Sequence, residues 1–159
     1  MLACSEVLVF VALGANLGDA KATVWSAMAH IAGLPHPRLV ARSSLYRSAP
    51  VAASGPDFIN AVIGIQCMLD AHDLLFKLQQ IEDLAGRERP YPNAPRTLDL
   101  DLLLFGEDRI CSPHLVVPHP RMYDRAFVLL PLAERAPDKV SAAQLAAVAM
   151  QRIERLKAE

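Results

Sequence analysis

The stretch Pro95–Phe105, PRTLDLDLLLF, decides how the chain reads. From Thr97 to Leu102 it alternates strictly, with Leu98, Leu100 and Leu102 on one face of an extended chain and Thr97, Asp99 and Asp101 on the other. At Leu103-Leu104-Phe105 the alternation gives way to a run suited to a strand buried on both faces. Aspartates at i and i+2 of a strand point the same way, with Cα atoms about 6.5–7 Å apart. Their repulsion calls for a cation, a shared proton or a basic neighbour. Carboxylate oxygens are the ligands Mg²⁺ prefers, and two such groups can bridge a pair of ions. The alternative is a solvated strand face beside Arg96, but aspartate is depleted in strands and a pair on one face is costly.

Working outward, the order of elements follows from periodicity and from capping residues. Val7–Leu13 is a continuous apolar run fit for a central strand, ended by the turn Gly14–Gly18. Asp19 is placed to cap a helix over Ala20–Ala32, with Val24, Ala27, Met28 and Ile31 inward and Gly33 and Pro35 as stops. Arg38–Tyr46 reads as a second strand and Phe58–Cys67 as a third, joined by a long loop over Arg47–Asp57. Asp70 is placed to cap a helix over Ala71–Ala85 whose apolar stripe includes Leu74, Leu75, Leu78, Ile81 and Leu84. Gln79 and Glu82 fall together on a different face. After the double-aspartate strand come a short extra strand near Asp108–Ile110 and a proline-bounded connection over Cys111–Pro120. A turn of helix is expected at Arg121–Arg125, then an apolar segment Phe127–Leu132 that packs on the core. A last helix is expected over Ala142–Lys157, with Leu145, Val148, Ala149, Ile153 and Leu156 inward. The order β-α-β-β-α-β predicts an α+β, ferredoxin-like antiparallel sheet with flanking helices and a C-terminal helix, in a single domain over residues 1–159.

Composition narrows the class. A net charge of −1 argues against a general nucleic-acid or membrane-surface binder. Cys4, Cys67 and Cys111 are odd in number and widely spaced, which points away from a disulfide framework and towards a reducing cytoplasm. MLACSEVLVFVALG lacks a basic leader and reads as a buried strand, not a signal peptide. No apolar stretch reaches transmembrane length.

The loops carry the remaining chemistry. Arg87–Arg96 contains three arginines and three prolines and leads straight into the aspartate strand. Arg87, Arg89, Arg96, Arg121, Arg125, His114 and His119 all fall in or beside loops near it, and guanidinium groups with a bound metal suit a polyphosphate substrate. No phosphate-loop, dinucleotide or protein-kinase motif is present. Phe58 with Asn60 on the same strand face gives an aromatic and an amide, a combination fit for a planar heterocycle.

With these residues in view, Ala94–Gly106, APRTLDLDLLLFG, resembles the signature of the 6-hydroxymethyl-7,8-dihydropterin pyrophosphokinase family. ALGANLGD, SSLYRSAPV, DFINAV, QIEDLAGRER and VPHPRMYDRAFVLLPL follow in the family's order, so the resemblance spans about Val7–Pro137. It implies the ferredoxin-like fold, and transfer of pyrophosphate from ATP to the hydroxymethyl group of a reduced pterin with two Mg²⁺ ions. By matched position, Asp99 and Asp101 would hold both ions, and Arg87 and Arg96 would be the catalytic loop arginines. Phe58 and Phe127 would sandwich the pterin, with Asn60 on its edge and Ser48, Ala49, Pro50 and Val51 beside it. Gln79, Glu82, Arg87, Arg89, Arg96, Leu102, His114, His119 and Arg125 would surround ATP. Ala15 stands where the family often has serine, and Asn93 and Val116 stand where some members have a tryptophan and a hydroxyl residue. A cytoplasmic monomer with no nucleic-acid or membrane partner is expected. Two other readings stay open: a ferredoxin-like module that binds a small ligand without catalysis, and a nucleotide-sugar transferase using an Asp-x-Asp metal motif.

Overall fold

The computed structural model describes residues 6–50, 55–86 and 98–157. The mixed α+β class is as expected. One antiparallel sheet carries β1 (Val7–Ala15), β2 (Arg38–Arg42), β3 (Tyr46–Ser48), β4 (Phe58–Cys67), β5 (Asp99–Phe105) and β8 (Ile153–Arg155). The path is β5-β1-β4-β3-β8, and β2 pairs with the other half of β4. A two-stranded ribbon, β6 (Ile110–Cys111) with β7 (Val116–Val117), stands apart.

Helices α1 (Ala20–Ala32) and α2 (Ala71–Ala85) cover one face of the sheet. Both begin where the sequence puts a cap: Asp19 accepts from Ala22 N–H at 3.1 Å and Asp70 from Asp73 N–H at 2.9 Å. Val24, Met28, Ile31, Leu74 and Leu78 pack there against Val9, Val11, Leu13, Ile63 and Ile65. Each fully buried aliphatic side chain contributes roughly 1.5–3 kcal/mol. Leu84, expected in the α2 stripe, is 46% exposed, whereas Glu82 is buried at 7%.

Two expectations need correction. The strand expected over Arg38–Tyr46 is broken at Ser43–Leu45. There the Ser43 N–H donates to Val62 O at 2.9 Å, but it is the Ser43 hydroxyl, not a carbonyl, that accepts from Val62 N–H at 2.9 Å. The next amide, Ser44 N–H, leaves the sheet and donates to the Glu134 carboxylate at 3.0 Å. The apolar segment Phe127–Leu132 lies within a helix, α3 (Ala126–Arg135), which accommodates Pro131 and packs Val128, Leu129 and Leu132 into the core. Second, the last helix stops early. Helix α4 covers only Ala142–Ala147, and Ile153–Arg155 is strand, because the outer edge of β3 pairs with it.

Helices α3 and α4 cover the second face over Phe10, Ala12, Val62, Leu103 and Leu104. They leave one end of that face open, where β1, β4 and β5 carry Gly14, Asn60 and Asp99 in register. Among the described residues no helix is long and apolar enough to cross a membrane.

Candidate active site

The open end of the second face is a cavity of about 400 Å³. Its floor is a row across three strands: Asp99 of β5 opposite Gly14 of β1, and Gly14 opposite Asn60 of β4. Asp101 lies opposite Ala12 one step further in. Small residues at the two β1 positions keep the floor open, since a Cβ on Gly14 would stand 3.4 Å from Asn60 Oδ1. Asp99 is exposed and Asp101 half-buried, both lining this cavity. Leu98, Leu100 and Leu102 are buried on the other face, as the alternation requires.

Ser48, Ala49 and Pro50 line one wall and Phe127 lines another, with Phe58 also on the cavity. Both phenylalanines are half-buried, so part of each ring is available to a ligand. Asn60 is 3% exposed and donates one Nδ2 hydrogen to Ser48 Oγ at 2.7 Å. The amide keeps its carbonyl oxygen and a second N–H for a planar partner. Arg125, expected around the nucleotide, also lines this cavity, its guanidinium 5.3 Å from the centre of the Phe127 ring.

Asp101 also lines a second cavity of about 300 Å³, with Leu100, Leu102, His114, Val116 and His119. The two cavities therefore meet at one carboxylate. His119 is held in place by its N–H, which donates to Leu103 O at 3.0 Å, and its Nδ1 accepts from Arg121 N–H at 3.2 Å. In the neutral ring the proton then sits on Nε2. Burial pushes the His119 imidazole below its usual range, and Arg125 and Arg121 add to this against the pull of Asp101.

Glu82, expected around ATP, is buried on α2. Its Oε2 accepts from the N–H of Leu100 at 2.8 Å, between the two aspartates. Gln79 is exposed on the same helix. Val51, Arg87, Arg89, Asn93 and Arg96 lie outside the described residues.

One network was not foreseen. Glu134 of α3 accepts from Ser44 N–H, from Ser44 Oγ at 3.2 Å and from Tyr46 OH at 2.8 Å, with Arg155 at 3.5 Å. Burial alone would raise the Glu134 carboxyl, but the Tyr46 and Ser44 hydrogen bonds and Arg155 outweigh it and hold it below its usual range. Burial and the same carboxylate push the Tyr46 phenol up to about 12. Residues 88 positions apart give no local signal of such a pair.

A family model described as 7,8-dihydro-6-hydroxymethylpterin-pyrophosphokinase (HPPK) matches residues 10–137. The chain belongs to this family. Among curated relatives of that family, the 2-amino-4-hydroxy-6-hydroxymethyldihydropteridine pyrophosphokinase of Pseudomonas aeruginosa is 49% identical over 131 residues, covering 82% of this chain and 81% of its own. The enzyme of the same name from Methylorubrum extorquens is 41% identical, covering 82% of this chain and 84% of its own. A solved Plasmodium falciparum HPPK-DHPS chain superposes with a TM-score of 0.65 at 14% identity, over 83% of this chain and 40% of that one. At that identity the likeness speaks for the HPPK fold alone.

Proposed function

We infer that the chain catalyses ATP-dependent transfer of pyrophosphate to 6-hydroxymethyl-7,8-dihydropterin, a step of folate biosynthesis. Family membership supports the reaction. The observation that carries the assignment to this site is that Asp101 lines two adjoining cavities, one with aromatic rings and an amide, the other with histidines.

The pterin is assigned to the first cavity, stacked on Phe58 and Phe127 with its polar edge on Asn60 and its flank on Ser48–Pro50. ATP is assigned to the second, beside Leu102, His114 and His119, and Arg125, which lines the first cavity, is assigned to the nucleotide as well. Gln79 and the loop residues Arg87, Arg89 and Arg96 are assigned to the nucleotide, and Val51 to the pterin. The donor set fits magnesium: among the described residues no three His, Cys, Asp or Glu converge, and Mg²⁺ is held by one or two carboxylates with waters and substrate phosphates. Asp99 and Asp101 would hold the two ions, which when bound neutralise phosphate charge and polarise the reacting phosphorus.

The chain's own contribution is positioning and charge. The cavity floor directs the pterin hydroxymethyl group towards Asp99 and Asp101. The hydroxyl oxygen bonds to the β-phosphorus while the bond from that phosphorus to the α,β-bridging oxygen breaks, so AMP leaves and the hydroxyl proton passes to solvent. Arg87 and Arg96 are assigned to the moving pyrophosphoryl group, whose negative charge a guanidinium fork pairs with. Among the described residues the buried Cys67 and the exposed Cys111 are free thiols, which supports a reducing compartment such as the cytoplasm. Chromatography of a reaction with ATP, Mg²⁺ and the reduced pterin tests the reading. AMP rising in step with pterin pyrophosphate is expected; ADP with a pterin monophosphate, or no turnover, refutes it.

A further inference from the structure

The family match ends at residue 137, yet residues 151–156 bind the elements that carry Arg125, Phe127 and Ser48, three residues lining the pterin cavity. Gln151 Oε1 accepts from Ala126 N–H at 2.8 Å, and Gln151 Nε2 donates to Asp124 C=O at 2.7 Å. The two groups it grips flank Arg125. Helix α3 has no side-chain cap from the residue before it, so Gln151 supplies an acceptor to its first turn from a distant part of the chain. Phe127 is the second residue of that helix.

Two residues on, the same segment grips the opposite wall. Ile153 lies opposite Ser48 in the β8–β3 pair, and Leu156 N–H donates to Leu45 O at 2.8 Å. Ser48 in turn holds the amide of Asn60. A stretch of six residues therefore ties Arg125–Phe127 to Ser48 and, through it, to Asn60. Between these anchors a cavity of about 590 Å³ adjoins the pterin cavity, lined by Ser48, Phe127, Gln151 and Arg152.

We propose that Gln151 is a positioning residue for pterin recognition, setting the seat of Phe127 and Arg125 against the wall carrying Ser48 and Asn60. The proposal rests on the assignment of the first cavity to the pterin. Gln151 is itself exposed, so it contributes little to the core, and its two hydrogen bonds act on a local geometry. Losing both is expected to weaken pterin binding about tenfold, a few-fold for each bond.

The test uses Gln151→Met, which keeps length without polarity, and Gln151→Glu, which keeps the acceptor for Ala126 N–H but cannot donate to Asp124. Fluorescence titration with 6-hydroxymethylpterin gives affinity, steady-state kinetics gives KM for the reduced pterin and for ATP, and thermal unfolding gives stability. Gln151→Met should raise the pterin Kd and KM about tenfold with a smaller change in ATP KM and an almost unchanged melting temperature. Gln151→Glu should recover part of the loss. Phe127→Ala should cost less affinity in the Gln151→Met background than alone. Unchanged pterin affinity in both variants, a lowered melting temperature as the sole effect, or losses that multiply fully with Phe127→Ala would each overturn the proposal. If the wild-type chain bound and turned over the pterin while these results came out, only the role of Gln151 would fall. If the wild type bound none, the functional reading would fall with it.

Discussion

Replacing Glu82 by alanine separates a residue that serves the strand from one that serves the nucleotide. The carboxylate is 7% exposed and takes the N–H of Leu100, itself 5% exposed, at 2.8 Å. A hydrogen bond to a charged group contributes about 1.5–3 kcal/mol, and an orphaned buried N–H costs a similar amount that overlaps with it. The net loss is therefore about 2–3 kcal/mol. For a chain of this size each kcal/mol shifts the melting temperature by roughly 2–4 °C, giving a fall of about 4–12 °C. Glu82→Gln keeps a neutral acceptor and should lose about 1 kcal/mol, or roughly 2–4 °C. Because Leu100 lies between Asp99 and Asp101, kcat should fall with stability in the alanine variant and recover substantially in the glutamine one. Circular dichroism melts without nucleotide, run beside steady-state kinetics, make the comparison. An alanine variant that melts with the wild type and shows only a raised ATP KM would mean that the carboxylate serves the nucleotide, and the reasoning would be wrong.

Asp99→Ala and Asp101→Ala should each abolish magnesium-dependent turnover while the protein stays folded, since relieving like-charge repulsion carries no packing loss. Near wild-type turnover at saturating Mg²⁺ in either variant would sink the metal assignment. Phe58→Ala and Phe127→Ala should weaken pterin binding by about 1–3 kcal/mol, the scale of a base stacked on an aromatic ring, and ATP binding much less. Calorimetry showing equal losses for both ligands would mark the rings as ordinary packing. Stability should also follow the Glu134 network through pH. The lowered Glu134 carboxyl contributes in full above its ordinary value of 4.5 and loses its contribution as pH falls through its folded value. The raised Tyr46 phenol contributes in full below its ordinary value of 10.0 and loses it as pH rises towards about 12. Denaturant midpoints of Glu134→Gln should show a flatter acid limb than the wild type; an identical slope would remove Glu134 from that role.

What the sequence revealed, and what it hid, divides along the range of the interactions. Asp19, Asp70, Gly33 and Gly86 mark their helix ends within a few residues, and α1, α2 and β4 have the bounds read from them. The alternation of Leu98–Leu102 likewise fixed which face the aspartates take. The break at Ser43–Leu45 depends on Glu134, some ninety positions away, and no local pattern carries it. The segment after Ala147 has helical spacing at Val148, Ala149, Ile153 and Leu156, but the unpaired edge of β3 outweighs that preference and draws Ile153–Arg155 into the sheet. In the candidate site, Phe58, Asn60, Phe127, Asp99 and Asp101 were nameable individually and do share a cavity. The reach of Arg125 into it, the clasp of Gln151 and the place of Glu82 under the strand are tertiary facts without a local signature.

The row Asp99–Gly14–Asn60 has a stereochemical consequence. Neighbouring strands stand about 4.8 Å apart, so the carboxylate lane and the amide lane are separated by only about 10 Å. A heterocycle seated at one lane and a phosphate chain at the other already have their reacting atoms side by side. No side chain from β1 stands between them to accept and hand on the group, because that position is a glycine. A single displacement turns the phosphorus centre inside out once, whereas a relay through an enzyme-bound carrier turns it twice and restores the original hand. ATP made chiral at the β-phosphorus should therefore yield pterin pyrophosphate of the opposite configuration at that atom.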